Sequence, residues 1–471
     1  MIMRRTKIVA TLGPATEGKN QIKSLEEAGA DAIRLNFSHG SHEEFSRLLP
    51  LVRSVAAEAG RPLALIADLQ GPKIRVGEMP PAGIKLVRGQ QVRVTPSRVI
   101  GSRDTIPIAY GGLAKIIEAG RRILLDDGRI ILKVLEMRDG EAECRVISGG
   151  TLLSKKGVNF PGATIPEPSL TAKDRQDLEF ALRAGVDYIA LSYVRSASDI
   201  DELRRLISQQ TDRQVKVIAK IEKREAIREI NSIVAASDAV MVARGDLGVE
   251  IAPERVPYWQ KEIIHRAVAQ AKMVITATQM LESMINNPTP TRAEASDVAN
   301  AVYDGTDAVM LSGETAVGKY PARAVATMHR IARTVEASIS RASIIEGATG
   351  SVTKAISSAA CELAANLNAA AIVTPTSSGH TALEVAKHRP RAPIVAISSG
   401  LDVVNQLALA WGVQPHLISP ARDTDDMFSK AIAAAGSSGF AAPGQVIVIT
   451  AGVRVNVPGT TNLIKVQQME E

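Results

Sequence analysis

Eight short apolar runs, each closing on polar or charged residues, constrain this chain more than any other feature. They are Lys7–Leu12, Ala32–Phe37, Leu63–Leu69, Asp187–Ser192, Lys216–Glu222, Ala239–Gly245, Met273–Gln279 and Ala308–Glu314. Side chains two apart on a strand point to one face. Arg34, Asn36 and Ser38 are therefore expected to project together, as are Lys220 with Glu222, Arg244 with Asp246, Thr276 with Thr278, and Ser312 with Glu314. Strands that alternate with helical segments imply a parallel sheet, and eight such units imply a closed (β/α)8 TIM barrel with its site at the strands' C-terminal ends. One terminal charge can simply solvate a strand end; the same placement in nearly every run argues for a site.

The chain has 471 residues, which at roughly 150 residues per domain leaves room for two units besides a barrel. No uninterrupted apolar stretch is long enough for a membrane span. The opening Met1-Ile2-Met3-Arg4-Arg5 is followed by Lys7–Leu12, too short for a signal h-region and read as the first barrel strand. Only Cys144 and Cys361 occur, far apart, so neither a disulfide framework nor a thiolate metal site is indicated and a cytoplasmic location is expected. The net charge of +6 comes from dispersed basic residues without interleaved aromatics. That gives a nucleic-acid surface little support and suits a locally positive site for phosphorylated metabolites.

The barrel spacing breaks between Leu63–Leu69 and Asp187–Ser192. Across Ile74–Val158 the pattern turns to short alternating strands with turn signals, such as Gly89–Val94 and Asp126–Val134, which predicts a small β-barrel inserted into a βα loop, where it can act as a lid. Pro321–Arg341 has helical spacing, and Glu346-Gly347-Ala348-Thr349-Gly350-Ser351 reads as a linker. Beyond it, Ala371–Val373, Ile394–Ile397 and Val446–Ile449 predict a small open α/β sheet. The expected units are 1–73 with 159–341 (barrel), 74–158 (lid) and 345–471 (C-terminal α/β domain).

Lys220, Glu222 and Asp246 form the sharpest constellation. Two carboxylates from neighbouring strands can hold Mg²⁺ and leave positions for substrate oxygens, and a lysine beside them suits a phosphoryl group in transfer. The competing reading is a plain Lys–Glu ion pair, which rarely closes a buried strand. Gly245-Asp246-Leu247-Gly248 passes from strand to helix, where free N–H groups bind anions, and Thr278 adds a hydroxyl. Arg34 and Arg75 are candidates to clamp phosphate through bidentate donors.

Arg34-Leu35-Asn36-Phe37-Ser38-His39-Gly40 is joined by Asp68-Leu69-Gln70-Gly71-Pro72-Lys73-Ile74-Arg75, Ile218–Glu222, Met241–Glu250, Ala277–Met284 and Met310–Ala316. With these motifs the chain closely resembles the pyruvate kinases, from Thr6 to the C-terminus and including Lys155–Asn159 of the insert. The resemblance implies transfer of the phosphoryl group of phosphoenolpyruvate to ADP, giving ATP and pyruvate, the last step of glycolysis, in a homotetramer.

Carried over by the same resemblance, Lys220 stabilises the phosphoryl group, Glu222 and Asp246 ligate Mg²⁺ (or Mn²⁺), and Gly245 and Asp246 offer N–H groups to the substrate carboxylate. Thr278 relays a proton through water, supported by Ser312 and Glu314. Arg34 and Arg75 hold phosphate, Asn36 and His39 lie near the nucleotide phosphates, and Asp127 and Lys156 reach the site from the lid.

Potassium-dependent relatives carry Asp-Thr-Lys-Gly-Pro-Glu where this chain has Asp68-Leu69-Gln70-Gly71-Pro72-Lys73. Lys73 thus replaces a glutamate beside a cation pocket whose Asn36, Ser38 and Asp68 are kept while Leu69 replaces a threonine, so K⁺ is expected to be dispensable. Thr376-Ser377-Ser378-Gly379-His380-Thr381 follows a strand and opens a helix, as a phosphate-binding loop does; by the resemblance it takes a phosphorylated effector. His380 stands where arginine is frequent, and Val453–Thr460 lacks the tryptophan-containing loop of fructose-bisphosphate-regulated relatives. A sugar monophosphate or AMP is expected instead. A metal-dependent aldolase or lyase acting on pyruvate or oxaloacetate, which needs no nucleotide, and a metabolite sensor without catalysis are the competing functions.

Overall fold

Parallel strands buried on both faces read as near-continuous apolar runs, and every one of the eight runs is a strand of one closed barrel. The computed structural model describes residues 4–163, 166–339, 351–453 and 461–470. Around the barrel the order is Lys7–Thr11, Ala308–Leu311, Met273–Ala277, Ala239–Ala243, Lys216–Ile221, Tyr188–Leu191, Ala64–Asp68 and Ala32–Asn36, all parallel. The strands stop earlier than the runs do. Ser38, Glu222, Thr278 and Ser312 sit just past a strand end, Arg244 and Asp246 belong to the helix Arg244–Glu250, and Glu314 to the helical turn Gly313–Ala316. Strand alternation therefore aligns Arg34 with Asn36, but not the other pairs expected from it.

The helices begin where local chemistry dictates. Ser41 and Glu44 close a capping box on His42–Ala59, which ends on the left-handed Gly60. Thr171 and Asp174 do the same for Ala172–Arg183, and Asp174 Oδ1 also accepts from the Gly71 N–H at 3.1 Å, fixing the turn that leads into the insert.

That insert is all-β with one short helix, Leu113–Ile116. The expected small barrel does not close: the strands form a six-stranded sheet and a two-stranded ribbon, Ile84–Leu86 with Gly150–Leu152, around a core of their own that includes Val76, Val94, Ile123, Leu132 and Val146. With one face on this core and one in solvent, Gln91–Thr95 alternates. The chain enters and leaves side by side, Arg75 bridging Gly157.

The C-terminal sheet has five strands in the order Val413–Leu417, Ile394–Ser398, Ala371–Pro375, Val446–Gly452 and Thr461–Gln468, the last antiparallel. The expected strands are the three central ones. Both edge strands escaped sequence reading because Pro415 and His416 interrupt one and polar residues alternate through the other. The helix read over Pro321–Arg341 spans Pro321–Ser338; most of the linker and most of Val453–Thr460 lie outside the described residues.

One face of this sheet, with Ile372, Ile394 and Val448, is continuous with the side chains filling the barrel lumen, among them Val9, Ile66, Tyr188, Met241 and Ile275. The Tyr188 hydroxyl donates to the Gln406 carbonyl at 2.7 Å across that junction. No described helix is long and apolar enough to cross a membrane.

Candidate active site

The C-terminal ends of five barrel strands meet in one buried ionic cluster. Lys220 Nζ donates to Ser192 Oγ at 2.7 Å and lies 2.8 Å from Glu222 Oε1 and 3.2 Å from Asp68 Oδ1. Arg34 Nε donates to Asp68 Oδ2 at 2.7 Å, and its Nη1 to Thr11 Oγ1 at 3.2 Å. All four charged groups are buried. Burial opposes the Lys220 ammonium, but Asp68 and Glu222 outweigh it and lift Lys220 above the ordinary lysine range. Burial likewise opposes the Asp68 carboxylate, yet Lys220 and Arg34 hold it below the usual range. Glu222 goes the other way: burial, reinforced by the Asp246 carboxylate, overcomes Lys220 and raises it.

Glu222 is fixed from behind by the Tyr193 N–H, which donates to its Oε2 at 3.0 Å from a left-handed backbone with φ 58°. Asp246 is exposed on the first turn of Arg244–Glu250, close enough to act on Glu222, Lys220 and Tyr193. Among the described residues no group of three or more His, Cys, Asp or Glu gathers as a metal cage. Two carboxylates that repel each other beside an otherwise cationic mouth fit a hard divalent ion that takes its remaining oxygens from substrate or water.

Just past the end of Met273–Ala277, Thr278 also has a left-handed backbone, φ 67°, and its hydroxyl accepts from the Gly245 N–H at 2.8 Å while donating to the Ala277 carbonyl at 2.7 Å. The Gly245 N–H expected to be free for an anion is thus engaged by Thr278. Glu314 accepts from the Ser312 N–H at 2.8 Å and the Leu281 N–H at 3.0 Å, and burial raises it. It ties the loop after Thr278 to the end of Ala308–Leu311.

Asn36 follows Arg34 on its strand and, through Oδ1, caps the Ser38 N–H at 3.1 Å. His39 in the same turn is held below the ordinary histidine range by partial burial and then by Lys73, Arg75 and Arg34. Those cations therefore share one mouth with it. Leu69 is buried beside Asp68. In the insert, Lys156 Nζ pairs with Asp126 Oδ1 at 2.9 Å, and Asp127 shares the left-handed turn at Asp126; among the described residues no ion pair joins Lys156 to the barrel cluster. Arg75 Nη1 donates to the Lys155 carbonyl at 3.1 Å at the root of the lid.

This geometry has the same address as the motifs, and comparison with known proteins agrees. A family model described as pyruvate kinase, barrel domain, matches residues 3–325, and one described as pyruvate kinase, alpha/beta domain, matches residues 354–467. The chain belongs to the pyruvate kinase family. It is similar to a pyruvate kinase of Geobacillus stearothermophilus, 47% identical over 99% of this chain and 81% of that protein. It is also similar to pyruvate kinase 2 of a Synechocystis species, 49% identical over 98% of this chain and 79% of its length, and to a pyruvate kinase of Sporosarcina psychrophila at 44% over 98% and 80%. The chain is thus a phosphotransferase of this type.

The sequence reading of this pyruvate kinase fold missed two contributors to the cluster. Ser192 closes a run and carried that signal alone, whereas Tyr193 acts through its backbone, which no residue type announces. The loop Thr376–Thr381, expected to take an effector, lies at the other end of the barrel: Thr376 Oγ1 accepts from the Gly379 N–H at 2.9 Å, Thr381 shares a hydrogen bond with Thr461 at 2.7 Å, and His380 is exposed. Ser378 and His380 border a cleft of about 170 Å³ shared with Lys216, Asp238 and Lys272 of the barrel.

Proposed function

We propose that the chain transfers the phosphoryl group of phosphoenolpyruvate to ADP and then protonates the enolate to pyruvate, as the last step of glycolysis. The observation that carries this reading is the Lys220 ammonium, held charged between Asp68 and Glu222 at the mouth of a pyruvate kinase barrel. Lys220 would stand against the phosphoryl oxygens as the bond to the enol oxygen breaks and the bond to the ADP oxygen forms, since such transfers depend on positioning and charge. Arg34 and Arg75 would hold phosphate oxygens, and Asn36, His39 and Lys156 the nucleotide phosphates, Lys156 and Asp127 on closure of the lid.

Glu222 and Asp246 are the residues to hold Mg²⁺, or Mn²⁺, which when bound neutralises phosphate charge. The substrate carboxylate would take the N–H groups of Gly245 and Asp246, the Thr278 hydroxyl turning from Gly245 towards the enolate carbon. A water chain that includes Ser312, with Glu314 fixing the loops, would resupply the proton.

We further propose that K⁺ is not required. Lys73 reaches the mouth strongly enough to act on His39, and Asp68 already balances Arg34 and Lys220; Asn36, Ser38 and Leu69 complete the pocket. Thr376, Ser377, Ser378, Gly379, His380 and Thr381 would take the phosphate of a sugar monophosphate or AMP. A homotetramer in the cytoplasm is the setting expected for the family.

The test is pyruvate formation from phosphoenolpyruvate, ADP and Mg²⁺ in sodium- and potassium-free buffer, beside Lys220→Ala. Activity that vanishes in the variant is expected. Rescue by K⁺ alone sinks the Lys73 argument but not the kinase; activity without ADP favours the lyase. A flat response of phosphoenolpyruvate affinity to every sugar phosphate and to AMP removes the effector.

A further inference from the structure

Thr278 and Gln279 are consecutive non-glycine residues in the left-handed region, φ 67° and 55°, and the first is β-branched, for which that region is a true outlier. Such a turn persists only where its surroundings over-determine it. The group that does so is Arg244. Its Nη2 donates to the Thr278 carbonyl at 2.7 Å and lies 2.8 Å from Met280 Sδ, and its Nε donates to the Ala277 carbonyl at 3.3 Å. Its Nη1 meets Asp297 Oδ1 at 2.7 Å and Gln260 Oε1 at 3.3 Å.

With a side chain only 10% exposed, Arg244 is not a solvated surface charge. A purely architectural role would need only the pairing with Asp297, which pins the helix Arg292–Tyr303. Apart from Gln260, the remaining contacts fall on the strained turn or on its two flanking residues, Ala277 and Met280, and the next residue, Gly245, holds the same threonine by its hydroxyl. One dipeptide thus grips Thr278 at both its carbonyl and its hydroxyl oxygen. A planar five-donor fork makes these contacts at once, which a lysine point charge does not.

We propose that Arg244 is a positioning residue for the protonation half of the reaction: it holds the strained Thr278 so that the hydroxyl stands where the enolate carbon accepts its proton. This rests on the reading of Thr278 given above. In that step a C–H bond forms at the enolate carbon, the O–H bond of Thr278 breaks, and water restores the hydroxyl proton.

The experiment measures kcat and KM for phosphoenolpyruvate together with exchange of the pyruvate methyl hydrogens in D₂O with ATP and Mg²⁺, in Arg244→Met, Arg244→Lys, Asp297→Asn, Thr278→Ala and the double variant Arg244→Met/Thr278→Ala. Arg244→Met is expected to lower exchange and kcat together by about 10- to 100-fold, as misplacement of a reacting group does, with KM within about threefold. Arg244→Lys should recover part of the loss, and the double variant should fall no further than Thr278→Ala, as for residues acting as one unit. Full additivity in the double variant, or undiminished exchange in Arg244→Met, overturns the proposal. Where Arg244→Met does not fold, Asp297→Asn decides, since it frees one arm of the fork: exchange lowered severalfold at unchanged KM supports the proposal and unchanged exchange overturns it. Unchanged exchange in Thr278→Ala removes the Thr278 reading and this proposal with it, whereas loss in Thr278→Ala alone removes only the role of Arg244.

Discussion

The two ends of the barrel both bury charge, and they do so for opposite purposes. At the N-terminal end an aspartate stands just before four of the strands, Asp31, Asp187, Asp238 and Asp307, and each accepts the N–H of a residue on a neighbouring strand: Ile8, Leu65, Val217 and Val274, at 2.7–2.9 Å. Each is also paired with an arginine: Arg4, Arg53, Arg204 and Arg389 in turn. These carboxylates are saturated by backbone and guanidinium. At the C-terminal end, Glu222 and Asp246 face each other, and Lys220 is shared between two carboxylates. One end ties its carboxylates to backbone N–H groups and arginines, and the other gathers them around a shared lysine with Asp246 left exposed, the end at which this architecture places its sites.

The sharpest way to break this division is to remove one charge from each end. Lys220→Ala is expected to lower pyruvate formation by about 10²–10³-fold, the scale of losing a preorganised electrostatic group, with little change in melting temperature; retained activity would sink the assignment of the upper end. Asp307→Ala leaves the partly buried Arg389 without its carboxylate and the Val274 N–H without its acceptor. It should destabilise the fold by about 3–5 kcal/mol in urea unfolding while the folded fraction keeps kcat within about twofold. A large fall in kcat at unchanged stability would mean that the lower end is catalytic too.

A smaller effect is expected at Lys7, whose Nζ donates to the Val413 carbonyl at 2.7 Å. Burial, only partly offset by Asp31, pushes its ammonium down from 10.5 to about 8. Below that pH the fold carries a charge it holds at a cost. Between about 8 and 10.5 the folded state has shed the proton that the unfolded chain still binds, so stability rises with pH across that window, by up to about 3 kcal/mol. Lys7→Met should flatten that rise in melting experiments from pH 7 to 10.5; an unchanged slope would place the titration elsewhere.

The barrel was legible because strands buried on both faces leave no ambiguity of period, and the buried ionic cluster was legible because Arg34, Asp68, Lys220 and Glu222 lie on or just past the ends of those strands. What escaped reading has a physical reason in each case. Val413–Leu417 and Thr461–Gln468 are sheet edges whose sequence is not forced to be apolar. The fourfold aspartate pattern is a single residue per repeat in otherwise unlike contexts, and its meaning lies in N–H groups one strand away. The hold of Tyr193 on Glu222 and of Arg244 on Thr278 depends on left-handed backbone that residue type does not encode. Alternation was the right rule for Arg34 and Asn36 and the wrong one for Asp246 and Glu314, because the chain turns helical before reaching them.

The lumen of the barrel and one face of the C-terminal sheet form one apolar body, whereas the lid encloses a core of its own. Amide hydrogens along the barrel strands and along Ala371–Pro375 should then exchange only through a common opening, as one cooperative unit, while those of Ile130–Arg138 can exchange through a separate and less costly one. The insert is therefore expected to loosen without the frame, and a chain cut after Ser338 to leave the bottom of the barrel open to water.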